Sequence, residues 1–189
     1  MRSILICIAF TGALVSPALA HTGVGQTNSF ASGIAHPLNG VDHILAMVAI
    51  GLWGVLAGGR AIWVWPMTFV ATMLAGFAAA TLGLQMPFVE PAIWSSIIIL
   101  GLLVALAAKA PVWLGAVIAG LFAFFHGHSH GTEAATAGFI PYAAGFAFST
   151  GGLHTAGIGL GQLAERSTGK VAIRAMGGFA VLVGALIAS

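Results

Sequence analysis

From Leu38 to Ala188 the sequence is a succession of apolar segments parted by brief loops, a pattern with almost nowhere to fold in water. The segments run Leu38 to Ala57, Ile62 to Leu84, Ala92 to Ala107, Val112 to Phe125, Ala137 to Leu160 and Val171 to Ala188. A helix needs about 20 residues to cross a bilayer, so the third and fourth must borrow flanking residues. Charge is correspondingly scarce: 5% of residues are charged, against about 25% in an ordinary soluble domain. The expected fold class is therefore all-α, a polytopic membrane helix bundle of six transmembrane helices. It forms a single transmembrane domain over residues 21–189.

Residues 1–20 read as a signal peptide. Arg2 is followed by an apolar core, Ile4 to Val15, too short to span well, and then by the small-residue cleavage pattern Ala18-Leu19-Ala20. An uncleaved anchor is the alternative, and the short core weighs against it. Cleavage would begin the mature chain at His21, whose amino group and imidazole together are a weaker metal-chelating candidate. With that end outside, alternating loops place Arg60, Lys109, Arg166 and Lys170 inside and Arg174 at the inner edge, as the positive-inside rule requires. Asp42, Glu90 and Glu133 fall outside, where they would gather cations, and Glu165 falls inside. Both termini are expected on the outer side of a bacterial cytoplasmic (inner) membrane.

Several function classes drop out. Cys7, the single cysteine, lies in the leader, which leaves no disulfide, thiolate site or cysteine nucleophile. Six Lys/Arg are too few and too dispersed to bind nucleic acid. Neither the glycines from Gly157 to Gly161 nor Gly169-Lys170 makes a phosphate loop: Ala164 stands where a first glycine is needed and Val171 replaces the Ser/Thr. No ATPase partner is evident, and no cofactor is required. Partners reduce to the lipid bilayer and a metal ion, with homo-oligomer formation left open.

The metal is suggested by the histidines. Ionisable side chains are expensive within a bilayer and by default mark a functional path. His36-Pro37-Leu38-Asn39-Gly40-Val41-Asp42-His43 opens the first segment. On one continuous helix His36 and His43 nearly eclipse, and Asp42 points about 100° from His43. Pro37 fits a first helical turn entered at His36; a helix starting upstream near Ser29 would instead carry Pro37 inside it. The second cluster is Phe125-His126-Gly127-His128-Ser129-His130-Gly131-Thr132-Glu133. On a helix His126, His130 and Glu133 share one face while His128 points away, unless Gly127 and Gly131 break it. Both clusters are expected at the outer half of the bundle, where they can meet.

Imidazole with carboxylate suits zinc, nickel, cobalt, iron or copper. The plainer alternatives are a solvated His-rich loop for the second cluster and hydrogen-bonded histidines securing a helix start for the first. His154 is expected deeper, as a relay ligand or simply bonded to a backbone carbonyl. Met47 could offer a thioether but reads more simply as core. Trp53, Trp63, Trp65, Trp94 and Trp113 lie mostly near segment ends, as interfacial anchors do.

At these residues the chain resembles the HupE/UreJ family of nickel and cobalt permeases. The resemblance is carried by the leader, His36-Pro37, Gly40, Asp42-His43, Leu45-Ala46-Met47, Gly51-Leu52-Trp53, Phe125-His126-Gly127, His130-Gly131, Glu133, Leu153-His154 and Gly157. It implies uptake of divalent nickel or cobalt, with His36, Asp42, His43, His126, His130, Glu133 and His154 as candidate metal-binding positions. His128 falls outside the pattern and is a weaker candidate. The resemblance does not decide between the two metals, and zinc is not excluded. Competing readings are an intramembrane metal-dependent hydrolase, which lacks a His-Glu-x-x-His motif, a haem-binding electron carrier, and a metal-binding sensor.

Overall fold

The computed structural model describes residues 29–133 and 139–188. The expected leader and cleavage site, and His21, lie outside the described residues. Among these, every element is an α-helix: α1 (Phe30–Asn39), α2 (Val41–Ala57), α3 (Ala61–Thr81), α4 (Val89–Ala105), α5 (Val112–Glu133), α6 (Phe139–Thr168) and α7 (Lys170–Ile187).

Helix α1 starts upstream of His36. Ser29 and Ser32 form a reciprocal capping box, with Ser29 Oγ accepting from Ser32 N at 3.1 Å and Ser32 Oγ accepting from Ser29 N at 3.2 Å. The reading in which His36 enters the helix is thus replaced by the one that carries Pro37 inside it. Pro37 offers no N–H to the preceding turn. The helix ends soon afterwards at Asn39, Gly40 is extended (φ −102°, ψ 116°), and α2 departs at 86° to α1. His36 and His43 therefore stand on two helices, and the eclipsed arrangement on one does not occur.

Among the described residues, three helices are long and apolar enough to cross a membrane: Ala61–Thr81, Val112–Thr132 and Lys170–Ile187. The bent α1–α2 pair would make a fourth. The expected six is not reached by length and composition alone: α4 has 17 residues, and α6, although 30 residues long, is diluted by Ser149, Thr150, His154 and its charged last turns. The fourth expected segment does not stop at Phe125. Gly127 and Gly131 remain helical and carry α5 on to Glu133.

Packing is not between sequence neighbours alone: α3 lies against α5, α4 against α7, and α1 and α2 against α6. Along α3 and α5, Trp65 meets Gly115, Met73 meets Gly127 and Phe77 meets Gly131, so the two helices run parallel. In the same way α2 and α6 run parallel, with Val48 beside Gly157 and Val55 beside Gly161. These crossings depend on reciprocal glycines, which let backbones approach in an apolar medium. A methyl at Gly127 would overlap the Met73 carbonyl, and one at Gly76 the Phe124 carbonyl. Gly127→Ala should therefore part α3 from α5 and cost about 1–3 kcal/mol or more, as overpacking does. Gly152, with open space around it, should accept alanine without loss. Thermal unfolding of the two variants in detergent checks the contrast.

The tryptophans divide. Trp63 and Trp113 are exposed, as anchors should be, but Trp53 and Trp65 are fully buried and pack together, tilted, with ring centroids 4.1 Å apart. That pair belongs to the core, not to an interfacial belt.

Candidate metal site

The sharp turn at Gly40 makes the first wall of the site. Its backbone aims Asp42 and His43 back toward α1, and a Cβ at Gly40 would come within 2.7 Å of an Asp42 carboxylate oxygen and 2.9 Å of His43 Nδ1. The two side chains do not diverge as the helix projection implies: Asp42 Oδ2 lies 3.1 Å from His43 Nδ1. A carboxylate accepts, so Nδ1 carries hydrogen in neutral His43 and Nε2 is its lone-pair nitrogen.

The second wall comes from α5. His130 Nε2 meets His43 Nε2 at 2.5 Å, and His126 packs edge-on against His43 with ring centroids 4.9 Å apart. His36, from α1, lies 4.4 Å from the His130 ring and 6.4 Å from that of His43. His36, His43, His126 and His130 thus converge from α1, α2 and α5, as the two-cluster expectation required. Tyr142 and Phe146 of α6 close the far side, at 5.9 Å from His36 and 4.7 Å from His130 respectively. The His43 side chain is 7% exposed and that of Asp42 29%, so the carboxylate stands nearer the mouth.

His154 lies apart from this group. Its Nδ1–H donates to the Met47 carbonyl at 2.8 Å, as the plainer reading held, yet its Nε2 is buried with no hydrogen-bond partner. The Phe69 ring contacts His154 at 5.0 Å and His126 at 5.9 Å, and so links the two levels. Met47 is fully buried and acts here through its carbonyl. His128 points away, as the helix geometry predicts: its Nε2–H donates to the Leu84 carbonyl at 2.7 Å, tying down the connection from α3 to α4. Glu133 ends α5, and its side chain lies outside the described residues.

Among the described residues, no group of three or more His, Cys, Asp or Glu side chains is arranged to hold a metal ion. The His43–His130 contact accounts for this at the closest point. Two nitrogens bound to one tetrahedral cation at about 2.0–2.1 Å stand about 3.3 Å apart. At 2.5 Å they leave no room for the ion, and a hydrogen from His130 fills the line between them. The donor chemistry nevertheless fits a transition metal. Metal-bound imidazoles usually donate their other N–H to a carboxylate or carbonyl, which is what His43 does to Asp42 and His154 to Met47. The buried, partnerless nitrogens of His126 and His154 are what such bracing leaves available.

Sequence reasoning missed Phe69, Tyr142 and Phe146, which no motif distinguishes from packing residues. It also missed Ser96, whose signal was half legible: Ser95 and Ser96 are a polar pair inside an otherwise apolar run, Ile97 to Leu100 on one side and Ala92 to Trp94 on the other, and nothing in the sequence says which of the two faces the core.

A model of the HupE / UreJ protein family matches residues 8–187. The chain belongs to the HupE/UreJ family. It is also 42% identical over 177 residues to the protein HupE of Rhizobium leguminosarum bv. viciae, covering 93% of each chain. No solved structure matches. Members of this family are accessory metal transporters associated with nickel and cobalt uptake, not enzymes. The family and the apolar helices make the chain a membrane protein, and the hydrolase reading falls.

Proposed function

We propose that this chain is a secondary permease that carries divalent nickel or cobalt inward across the cytoplasmic membrane through its histidine cluster. The observation that carries the reading is the convergence of His36, His43, His126 and His130 beside Asp42, deep among apolar helices where uncompensated polar groups are costly. The chain is taken as six spans after a cleaved leader over residues 1–20, with the mature chain from His21 and both termini outside. Parallel packing of α2 with α6 and of α3 with α5 supports this alternation. So does the placement of Arg60, Lys109, Arg166, Lys170 and Arg174 at one end, where Arg174 Nε donates to the Ala105 carbonyl at 2.7 Å.

The ion is the substrate. Asp42 and Glu133 draw it to the mouth. His36, His43, His126 and His130 replace part of its water shell, and His154 receives it at the next level. A divalent cation gains roughly 4.6 kcal/mol per 100 mV of inside-negative potential, enough for about a thousandfold accumulation without nucleotide or coupled ion. Release requires modest affinity, and the closed His43–His130 contact serves that end by making the ion displace a hydrogen bond on entry.

Flux into proteoliposomes, with the potential set by a potassium gradient, tests the reading. Nickel or cobalt should enter only with the interior negative, and zinc as competitor ranks the preference. Binding without flux would favour a sensor; neither binding nor flux would sink the proposal.

A further inference from the structure

Ser96 is fully buried on α4 and is not a metal-ligand candidate. Its Oγ lies 2.6 Å from the Ile93 carbonyl oxygen and 3.0 Å from His126 Nε2. A hydroxyl has a single proton, and two oxygens at 2.6 Å with none between them would oppose lone pair to lone pair. The proton therefore points to Ile93. The serine oxygen must accept from His126, whose Nε2 carries the hydrogen. What remains on that ring is Nδ1, buried and without a hydrogen-bond partner.

We infer that Ser96 is a positioning residue of the transport site, which holds His126 in the Nε2–H tautomer so that Nδ1 is the nitrogen offered to the divalent cation. The inference rests on the permease reading and adds to it the choice of ligand atom. A neutral imidazole without such a partner can place its hydrogen on either nitrogen, and an N–H turned toward a cation repels it. His43 and His154 are held by the Asp42 carboxylate and the Met47 carbonyl; His126 alone of these three depends on a neutral side chain. The adjacent Ser95 is exposed and donates to the Pro91 carbonyl at 2.6 Å, which makes it a control on the same helix.

The test compares Ser96→Ala, Ser96→Thr and Ser95→Ala in the full chain in lipid. Histidine labelled with nitrogen-15 reports the tautomer by solid-state NMR, the His126 signals being those lost in His126→Gln. Titration with nickel gives affinity. Ser96→Ala should move hydrogen from Nε2 toward Nδ1 and weaken nickel binding about 10- to 100-fold, the range for lost outer-sphere partners. Ser96→Thr should restore both, and Ser95→Ala should change neither. If the extra methyl of threonine disturbs folding, Ser96→Cys, a weaker acceptor of similar shape, should fall between wild type and alanine. An unchanged tautomer in Ser96→Ala would overturn the inference, as would a shifted tautomer with unchanged affinity, and either leaves the permease reading standing. Failure of wild type to bind nickel or cobalt would overturn that reading and this role together.

Discussion

Nickel uptake by His43→Ala falls to the background of cells lacking the protein, whereas Asp42→Asn retains a measurable fraction. The asymmetry follows from what each side chain touches. His43 stands at the centre of the cluster, against His130 at 2.5 Å and beside His126, with His36 at 6.4 Å. Removing it takes away one donor and the contact that joins α2 to α5. Asp42 holds His43 Nδ1 from the rim, and loss of such an outer partner costs about 10- to 100-fold in affinity. Asparagine keeps an accepting oxygen, so the lower end of that range is expected. Initial rates over a range of nickel concentrations, at matched expression, separate the two: an apparent KM raised about tenfold for Asp42→Asn, and no saturable component for His43→Ala. Equal losses in both variants would mean that Asp42 is itself a principal ligand. Unimpaired uptake in His43→Ala would remove the cluster from the path.

The site was legible in the sequence to the extent that polar atoms stand out against an apolar background. His36, Asp42, His43, His126 and His130 are visible in that way, and the structure brings them together. Their geometry was not legible. Seven-residue spacing implies one helix face only if the helix continues, and Gly40 turns the chain through 86° between the two histidines. Helix projection likewise separates Asp42 from His43, because it fixes Cα directions and not the rotamers that let adjacent side chains meet. The tryptophans failed for another reason. Helices that are apolar on nearly every side offer no periodicity from which to tell a core-facing indole from a lipid-facing one. Trp53 and Trp65 could be placed near segment ends, but only packing shows that they face each other.

That pair gives the second large expected effect, because on the proposed inward route it lies below the histidines. Trp53 is ten residues, or about 15 Å, below His43 on α2. It packs against Trp65 near the start of α3, the two rings tilted by 34°. Both indoles are tied at the passage from α4 to α5: Trp53 Nε1–H donates to the Ala108 carbonyl in the connection and Trp65 Nε1–H to the carbonyl of Val112, the first residue of α5, each at 2.8 Å. Gly115 leaves the space that the Trp65 ring occupies, since a methyl there would overlap the indole. In the proposed permease, an ion leaving His154 for the inner side would part these rings. Replacing both tryptophans by phenylalanine keeps aromatic bulk and removes two hydrogen bonds worth about 1 kcal/mol each, which shifts a closed-to-open equilibrium roughly thirtyfold. A single cysteine at Thr150, fully buried one turn above His154, in a background with Cys7→Ser, reports the opening. Its labelling by a membrane-impermeant maleimide from the inner side should rise by roughly that factor, with labelling from the outer side unchanged. Equal labelling with and without the two N–H groups, in protein that still binds nickel, would show that the indoles do not gate the path.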